Sequence, residues 1–500
     1  MASIITLTAS DGSQVQFVDE RKAAGGIKDV FFSPNRDYVV AFYRDPVDVV
    51  GRERLNLITG TYRERIFNQE GGDYLRKLLV WPTATVEHEK RIGVVVPFYD
   101  KDFFFKYGSR NDDQLLNIRN REKEGKWFAS AKNRSKFLDP RELGDGMTQL
   151  KTCLMIARAV RRLHSAGLAH SDLSYKNVLI DPSSGRACVI DLDGLVVPNK
   201  FPPDVAGTPD FFAPEVVATA KLDPRDPKRI LPSRLTDQHA LAVLIYMNLL
   251  FRHPLRGDKI HDMTDTQRDE DLAMGERALF IEHSTDASNR IKLANVPPAE
   301  LPWRDTAKLP YTLTGPYLGE MIRRAFIDGL HKPGERPTAD DWENALVKTI
   351  DLLQPCQNAQ CVQKWFVFDN STKPCCPHCG TPFRGKLPIL NLYSSHKEGN
   401  FRPDNHRLMV YSGQSVFPWH VNRLTIPNER LSADRTRRVG YFVLHNGEWY
   451  FVNETLPGLR DVRNNKIIAV GDKLRLEDGA QILFSPENGG RLCVVQMVGQ

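Results

Sequence analysis

The pattern of apolar and polar residues changes along the chain from strands to helices and back to strands. In the first hundred residues, runs rich in β-branched and aromatic residues are bounded by Gly, Asp, Asn or Pro, which predicts β-strands. These runs are VQFV (15–18), DVFFS (29–33), YVVAFY (38–43), LLVWP (78–82) and IGVVVPFY (92–99). A polar, helix-compatible stretch interrupts them between residues 49 and 68.

Helical spacing dominates the middle of the chain. From residue 143 to 164, apolar side chains recur on one helix face. Residues 236–251 are mostly apolar and predict a fully buried helix, and a last helical stretch covers 338–353. Strands first and helices later favour an α+β fold with two lobes. We expect the charged stretch 101–140 to be a solvated loop-helix insertion.

Short alternating strands return near residue 390, with turn signals at the spacing typical of a β-sandwich or barrel. A cysteine-rich segment precedes them. The predicted regions are therefore residues 1–100 and 101–352 for the two lobes, 353–385 for the cysteine-rich element, and 390–500 for a C-terminal all-β domain.

Composition narrows the range of partners. Hydrophobic residues make up 41% of the 500 residues and charged residues 26%, as in globular proteins. The net charge of +6 is mild, and the chain has no dense basic run, so we expect no nucleic-acid partner. The longest apolar run, about residues 241–251, is too short to span a bilayer, and the N-terminal residues lack the features of a signal peptide. We therefore expect no membrane segment.

The strongest chemical motif is HSDLSYKNVLI, residues 170–180. A phosphoryl-transfer site needs a carboxylate that orients the attacking hydroxyl, together with an amide oxygen and a second carboxylate that hold magnesium. Asp172 and Asn177 have the spacing of the kinase catalytic loop H-x-D-x-x-x-x-N. Ser174 stands where many Ser/Thr kinases carry a phosphate-contacting Lys.

The second carboxylate comes from VIDLDG, fourteen residues after Asn177. Asp191 is the predicted magnesium ligand, because Leu192 then supplies the apolar second position of a D-F-G-like motif. Asp193, which precedes Gly194, is the alternative.

Two further motifs follow in the expected order. GTPDFFAPE (207–215) resembles the G-T-x-x-Y-x-A-P-E that closes a kinase activation segment, and KPGERPTADDW (332–342) resembles the terminal kinase element. We expect Arg336 to pair with Glu215. Over roughly residues 10–350 the chain resembles the Hanks-type Ser/Thr protein kinases, which implies a two-lobed kinase fold, ATP and Mg²⁺ as cofactors, and protein substrates.

The small lobe departs from the family pattern. The strand that usually carries V-A-I-K is YVVAFY, in which Ala41 or Tyr43 occupies the lysine position. AGGIKDVF (24–31) looks like a shortened glycine-rich loop with Gly25 and Gly26, followed by Lys28. This placement resembles the with-no-lysine kinases, in which a lysine of the second strand reaches the phosphates. The alternative is an exposed loop lysine in a pseudokinase.

The resemblance also locates the other nucleotide contacts. The glutamate that orients the lysine should be Glu64, with Glu53 as the alternative. The hinge that contacts adenine through its backbone should run from Pro97 through Phe98 to Tyr99. Ser171 replaces the Arg that usually precedes the catalytic Asp, so activation-loop phosphorylation should not be obligatory.

Cysteines indicate a structural metal site. Five of the eight cysteines lie between residues 356 and 379, which fits a metal site in a reducing, cytoplasmic compartment better than a disulfide framework. Cys356 and Cys361 form one pair and Cys376 and Cys379 a second, at zinc-ribbon spacing, so we expect them to bind one structural Zn²⁺. Cys375 is the spare cysteine. A reactive CxxC redox pair is the alternative.

The tail and the overall architecture complete the prediction. The stretch around NGEWYFVNE loosely resembles forkhead-associated domains, but it lacks the Gly-Arg and Ser-x-x-His pair that reads phosphothreonine, so a structural or docking role is favoured. Kinase, four cysteines and β tail together resemble bacterial kinases encoded beside von Willebrand-A and PP2C-type phosphatase proteins in tellurite-resistance-type stress loci. Proteins of both kinds are the implied partners.

Three functions remain open at this point. The first is an active Ser/Thr protein kinase, which the intact Asp172, Asn177 and Asp191 favour. The second is a pseudokinase scaffold that binds nucleotide and partners, which the missing strand lysine favours. The third, a small-molecule kinase, is disfavoured by the GTPDFFAPE segment, because that segment shapes a peptide-docking surface in protein kinases.

Overall fold

The computed structural model describes residues 3–21, 23–24, 27–197, 207–223, 225–368, 373–397 and 399–499. The chain divides into two compact units. The first comprises Met1–Gly144, Lys151–Tyr311 and Glu320–Glu343, and the second Asp145–Leu150, Thr312–Gly319 and Asn344–Gln500. Among the helices in these ranges, none is both long enough and apolar enough to cross a bilayer.

The N-terminal part of the first unit is built on an antiparallel sheet. A two-stranded hairpin, β1 and β2, accompanies a five-stranded sheet with the order β3-β4-β5-β7-β6. The strands are β1 Ile4–Thr8, β2 Gln14–Val18, β3 Ala23–Ala24, β4 Lys28–Phe32, β5 Tyr38–Tyr43, β6 Ala84–His88 and β7 Arg91–Pro97. Four of the five predicted strand runs are confirmed. The run LLVWP is not a strand: Leu79 makes only an isolated bridge to Val189.

Alternation of side chains along β4 and β5 gives the sheet two different faces. On one face, Phe31 and Phe42 pack edge to face with Phe17 of β2 in a buried cluster. On the other face, Val30 and Ala41 are directly paired across the two strands. This second face forms one wall of the cavity described below.

The rest of the first unit consists of helices joined by long irregular segments, and three of the helices extend into the second unit. The helices that begin before residue 350 are α1 Val49–Leu57, α2 Arg63–Phe67, α3 Gly72–Leu75, α4 Gly146–Ser165, α5 Pro214–Thr219, α6 Arg234–Leu250, α7 Thr266–Met274, α8 Gly315–Arg323 and α9 Ala339–Ile350. A short two-stranded ribbon, β8 Val178–Asp181 and β9 Arg186–Val189, lies between α4 and α5 in the chain. The predicted buried helix is confirmed as α6, which begins at a capping box formed by Ser233 and Thr236.

The prediction of a solvated insertion at 101–140 is wrong. Phe103, Phe105 and Phe128 of this segment are buried. Lys123 is also buried, and its ammonium lies 2.9 Å from Glu142 and 2.8 Å from Asp181. The high charge of the stretch misled the prediction, because part of that charge forms a buried ion-pair network with distant residues instead of facing water.

The second unit contains the cysteine-rich element and two antiparallel sheets. A ribbon of β10 Leu353–Pro355 and β11 Trp365–Val367 comes first. One sheet has the order β13-β12-β21-β20-β17-β18 and the other β14-β15-β16-β19. The remaining elements are β12 Leu387–Lys397, β13 Asn400–Met409, β14 Ser415–Val416, α10 Pro418–Val421, β15 Gly440–His445, β16 Glu448–Asn453, β17 Arg460–Asp461, β18 Lys466–Ile467, β19 Lys473–Arg475, β20 Gln481–Leu483 and β21 Arg491–Val498. Side chains from both sheets, such as Leu390 and Phe451, share one hydrophobic core.

Candidate active site

A cavity of about 620 Å³ lies in the first unit between the five-stranded sheet and the loops around β8 and β9. Strands β4, β5 and β7 supply one wall, and the segment that follows β7 supplies another. The predicted site residues that line it are Lys28, Ala41, Pro97, Phe98, Tyr99, Asn177 and Asp191. The structure therefore brings together residues that are up to 163 positions apart in the sequence.

The Asp172 carboxylate is held in one orientation by three hydrogen bonds. The Nδ2 amide of Asn177 donates to Oδ2 of Asp172 at 3.0 Å and also to its backbone oxygen at 2.9 Å. Thr208 donates to Oδ1 of Asp172 from its backbone nitrogen and from its hydroxyl, each at 2.9 Å. Because the nitrogen of the Asn177 amide is engaged, its oxygen is the atom left for a cation.

Thr208 is a site residue that the sequence analysis missed. It is the second residue of GTPDFFAPE, so the motif itself could have indicated it. Its hydroxyl also lies 3.1 Å from the hydroxyl of Ser174, the residue that stands in place of the usual lysine. The segment after residue 207 is thereby fixed against the catalytic loop.

Buried contacts hold the backbone of the catalytic loop. The His170 amide donates to Oδ2 of Asp237 at 2.7 Å, and Nε2 of His170 donates to the carbonyl oxygen of Ile190 at 2.9 Å. Asp237 lies in the first turn of α6, so the buried helix anchors the loop. Ser171 and Asp191 both have positive φ angles, 68° and 61°, a strained conformation that clusters at functional sites.

Lys28 reaches both candidate aspartates. Its ammonium lies 3.0 Å from Oδ1 of Asp191 and 2.8 and 2.6 Å from the two carboxylate oxygens of Asp193. Burial alone would lower the pKa of Lys28, but the carboxylates of Asp193 and Asp191 raise it well above its usual value. Lys28 is therefore a charged lysine inside the cavity and not an exposed loop lysine.

Tyr43 stands directly opposite Lys28 on the neighbouring strand. Its hydroxyl hydrogen-bonds Oδ2 of Asp193, and the Lys28 ammonium lies 5.1 Å from the centre of its ring. Burial, followed by the Asp193 charge, raises the pKa of Tyr43, so the hydroxyl keeps its proton and donates. Between the two candidates for the lysine position, Ala41 lines the cavity without a polar group and Tyr43 contacts the charged cluster.

Arg44 belongs to the opposite face of the sheet. Its Nε lies 3.0 Å from Oδ1 of Asp29, a carboxylate that Arg21 and Arg91 also contact. Arg44 therefore points away from the cavity, as the alternation of side chains along a strand requires.

The structure does not bring Glu64 to this site. The side chains of Glu64 and of the alternative Glu53 are exposed on α2 and α1. Lys28 pairs with Asp191 and Asp193 instead, so the expected partner of the lysine is corrected. Gly25 and Gly26 lie outside the described residues.

The wall after β7 contains more than the predicted hinge. The ring of Phe98 stacks on Phe104, with centroids 5.7 Å apart and planes within 11°. Glu122 and Glu124 line the cavity on the same side. Burial, followed by the Glu124 charge, raises the pKa of Glu122. These residues come from the stretch whose burial the sequence analysis did not foresee.

The predicted ion pair between Arg336 and Glu215 is confirmed. Two guanidinium nitrogens lie 2.8 and 2.7 Å from the two carboxylate oxygens, a bidentate arrangement. The other donors of Arg336 reach the backbone oxygens of Gly329, Leu235 and Leu330. All five guanidinium hydrogens thus have an acceptor, which compensates the burial of this charge.

A second candidate site, in the other unit, consists of four cysteines. Those whose sulfurs lie within 4.8 Å of one another are Cys356, Cys361, Cys376 and Cys379. The sulfurs are 3.5 Å apart between Cys356 and Cys379 and 3.9 Å apart between Cys361 and Cys376. Tetrahedral Zn–S bonds of about 2.3 Å require sulfurs about 3.8 Å apart, so the arrangement fits Zn²⁺. Cys375 is exposed and outside this group.

The first candidate site also fits a metal ion. A carboxylate and an amide oxygen are the hard ligands that Mg²⁺ prefers, and Asp191 and Asn177 supply them.

Comparison with known proteins finds a kinase family match over some of the residues of the first site. Residues 111–311 match the protein kinase domain family. This part of the chain is similar to protein kinase domains. The matched range includes Asp172, Asn177, Asp191 and Glu215, whereas Lys28 and the five-stranded sheet precede it.

Similar proteins carry kinase names. A probable serine/threonine-protein kinase of Encephalitozoon cuniculi is 28% identical over 134 residues, 27% of this chain and 22% of that protein. The death-associated protein kinase dapk-1 of Caenorhabditis elegans is 34% identical over 106 residues, 21% of this chain and 7% of that protein. The human dual serine/threonine and tyrosine protein kinase is 38% identical over 76 residues, 15% of this chain and 8% of that protein. The chain covers less than a quarter of the length of each of these relatives.

Proposed function

We propose that the protein is a Ser/Thr protein kinase that transfers the γ-phosphate of ATP to protein hydroxyls. The observation that carries the proposal is the gathering of Lys28, Asn177 and Asp191 around one cavity, with Asp172 hydrogen-bonded to Asn177 at its edge. A carboxylate for the hydroxyl, two oxygen ligands for a metal and a cation for the phosphates are the parts that phosphoryl transfer needs.

Each residue of the site has a distinct task in this proposal. Asp172 accepts the hydrogen of the substrate hydroxyl and aims its oxygen at the γ-phosphate, since Thr208 and Asn177 fix the carboxylate. Asn177 and Asp191 hold Mg²⁺, which neutralises phosphate charge when bound. Lys28 contacts the phosphates. The backbone at Pro97, Phe98 and Tyr99, together with the apolar side chains of the sheet, takes the adenine base.

A labelled-ATP assay tests the proposal. The full chain is incubated with Mg²⁺, γ-labelled ATP and a general protein acceptor such as casein, with EDTA as the control, and phosphoamino acids are identified. We expect magnesium-dependent label on serine or threonine. If the wild-type protein binds ATP but transfers no phosphate to itself or to any acceptor, the pseudokinase scaffold is the correct function.

For the second unit we propose a structural zinc ribbon over residues 353–385 and a β-sandwich over 390–500, behind kinase lobes at 1–100 and 101–352. The ribbon is supported by the four-sulfur group and by the β10–β11 pair beside it. The sandwich is supported by the common core of the two sheets, and its resemblance to forkhead-associated domains favours a structural or docking role.

We also propose a cellular setting, bacterial stress signalling in the cytoplasm. Its supports are the clustering of five of the eight cysteines between residues 356 and 379, which fits a metal site better than a disulfide framework, and the combination of kinase motifs, four cysteines and β tail. A PP2C-type phosphatase and a von Willebrand-A-domain protein are the proposed partners. Removal of the label from the autophosphorylated chain by such a phosphatase, encoded beside it, would support this setting, and resistance of the label would count against it.

A further inference from the structure

Among the described residues, no glutamate of α1 or α2 is paired with Lys28, although a kinase helix normally provides such a partner. Glu53 and Glu64, on α1 and α2, both have exposed side chains. Within the described residues, the carboxylates that pair with Lys28 belong to Asp191 and Asp193. The lysine is therefore positioned from the segment that follows β9, where Asp193 lies in a short 3-10 turn, and not from α1 or α2.

The two carboxylates around Lys28 are not equivalent. The Asp193 side chain is 4% exposed, both of its oxygens contact the Lys28 ammonium, and one of them also accepts a hydrogen bond from Tyr43. The Asp191 side chain is 54% exposed, and its one ion pair within the described residues is with Lys28. Asp193 is thus enclosed and satisfied by its neighbours, while Asp191 keeps a carboxylate oxygen open to the cavity.

Strand pairing explains why Tyr43 takes part. Lys28 of β4 and Tyr43 of β5 are directly opposed, so their side chains leave the sheet on the same face and at the same level. The tyrosine ring supports the ammonium, with 5.1 Å between nitrogen and ring centre. Its hydroxyl reaches the same carboxylate as the lysine does. Tyr43 therefore occupies the usual lysine position without replacing the lysine's charge.

We infer that Asp193, held by Tyr43, is the positioning residue that fixes the Lys28 ammonium, and that Asp191 alone of the two aspartates is left for the metal. The inference rests on the proposed function for the roles of lysine and metal. Asp193, the third residue of the D-L-D motif, thus positions Lys28, a role expected of a glutamate on a helix. Asp191, the first residue of the motif, is then the metal ligand.

Chemical labelling of Lys28 in the nucleotide-free protein tests the positioning directly. Lysines are acetylated with an amine-reactive ester, and the rate at Lys28 is followed by mass spectrometry. Asp193→Asn removes the charged partner that contacts the Lys28 ammonium with both oxygens, so we expect labelling of Lys28 to be on the order of tenfold faster. Tyr43→Phe removes one hydroxyl only, and we expect a smaller increase. Asp191→Asn removes one exposed contact and should raise the rate less than Asp193→Asn does, and the matched control Arg44→Met should stay near the wild-type rate.

Nucleotide binding provides the second measurement. Asp191→Asn should raise the Mg²⁺ concentration needed for half-maximal ATP binding, whereas Asp193→Asn should weaken ATP binding at saturating Mg²⁺. The double variant Lys28→Met with Asp193→Asn should lose no more ATP affinity than Lys28→Met alone. The reason is that both substitutions disrupt the same ion pair between Lys28 and Asp193.

Two results would overturn the inference: unchanged Lys28 labelling in both Asp193→Asn and Tyr43→Phe, or release of Lys28 by Asp191→Asn instead. If Asp193→Asn does not fold, Tyr43→Phe alone decides the labelling test. A failure of the proposed function is distinguishable, because a wild-type protein without phosphoryl transfer would still show whether Asp193 or Asp191 protects Lys28.

Discussion

At the scale of single residues, the site works through a few buried charges whose partners are distant in the sequence. Lys28 meets Asp191 and Asp193 across 163 and 165 positions. The motif spacing predicted Asp172, Asn177 and Asp191, because those residues form short local patterns. The partner of Lys28 could not be predicted in this way, since it depends on how the sheet and the loop after β9 pack in three dimensions.

Replacing Lys28 tests which cation serves the phosphates. Losing a charge contact made in the transition state commonly lowers a rate by roughly 10²–10³. We expect Lys28→Met to reduce phosphoryl transfer by about that factor, measured as initial rate with labelled ATP. Arg44→Met is the control, because Arg44 pairs with Asp29 on the other face of the sheet. Equal rates for Lys28→Met and wild type would mean that another cation contacts the phosphates of ATP.

The buried His253 should make the folding stability of the protein depend on pH. Burial lowers the pKa of His253 to about 4, while its Nδ1 accepts from the Leu255 amide and its Nε2 donates to the Asp210 carbonyl. The unfolded chain binds the proton near pH 6.5, before the folded protein does, so this contribution to stability is complete above pH 6.5 and is lost as the pH falls toward 4.

The expected size of this effect is about 2 kcal/mol in the free energy of unfolding between pH 7 and pH 5. Urea denaturation of wild type and His253→Gln at the two pH values measures it. The variant should lose less stability on acidification than the wild type. Identical pH dependence in the two proteins would show that His253 titrates normally in the folded state.

At the scale of elements, the alternation or helical periodicity of apolar residues was enough to predict strands and helices that bury one face. YVVAFY became β5 with its predicted bounds, and the apolar run at 236–251 became α6. The failures have a physical cause. The LLVWP run is apolar because it is buried near β9, not because it belongs to a sheet. The 101–140 stretch buries part of its charge in ion pairs, as Lys123 shows.

The four-cysteine element should hold one Zn²⁺ per chain. A structural zinc contributes folding free energy directly, so replacing any one ligand should destabilise this element. We expect Cys361→Ser to lose zinc, detected by elemental analysis, and to unfold the surrounding region at lower urea concentration. Cys375→Ser is the matched control, since Cys375 is exposed and outside the sulfur group. Metal-free native protein would contradict the assignment.

At the scale of the whole molecule, the two candidate sites fall in different units. The residues that we propose for phosphoryl transfer gather in the first unit, whereas the four-cysteine group and the two β-sheets after residue 387 belong to the second. The family match covers only 111–311, and the similar proteins overlap this chain over short lengths. Substitutions in one candidate site should therefore leave the other intact, so each site can be tested by its own variants of the full chain.

The most direct test of the kinase assignment measures ATP affinity and phosphoryl transfer on the same samples of wild type and Asp172→Ala. Asp172 contacts Thr208 and Asn177 and does not line the nucleotide cavity, so its loss should remove transfer and leave ATP affinity within about twofold. Calorimetry with Mg²⁺–ATP and single-turnover transfer of labelled phosphate give the two quantities. Transfer at the wild-type rate in Asp172→Ala would contradict the account.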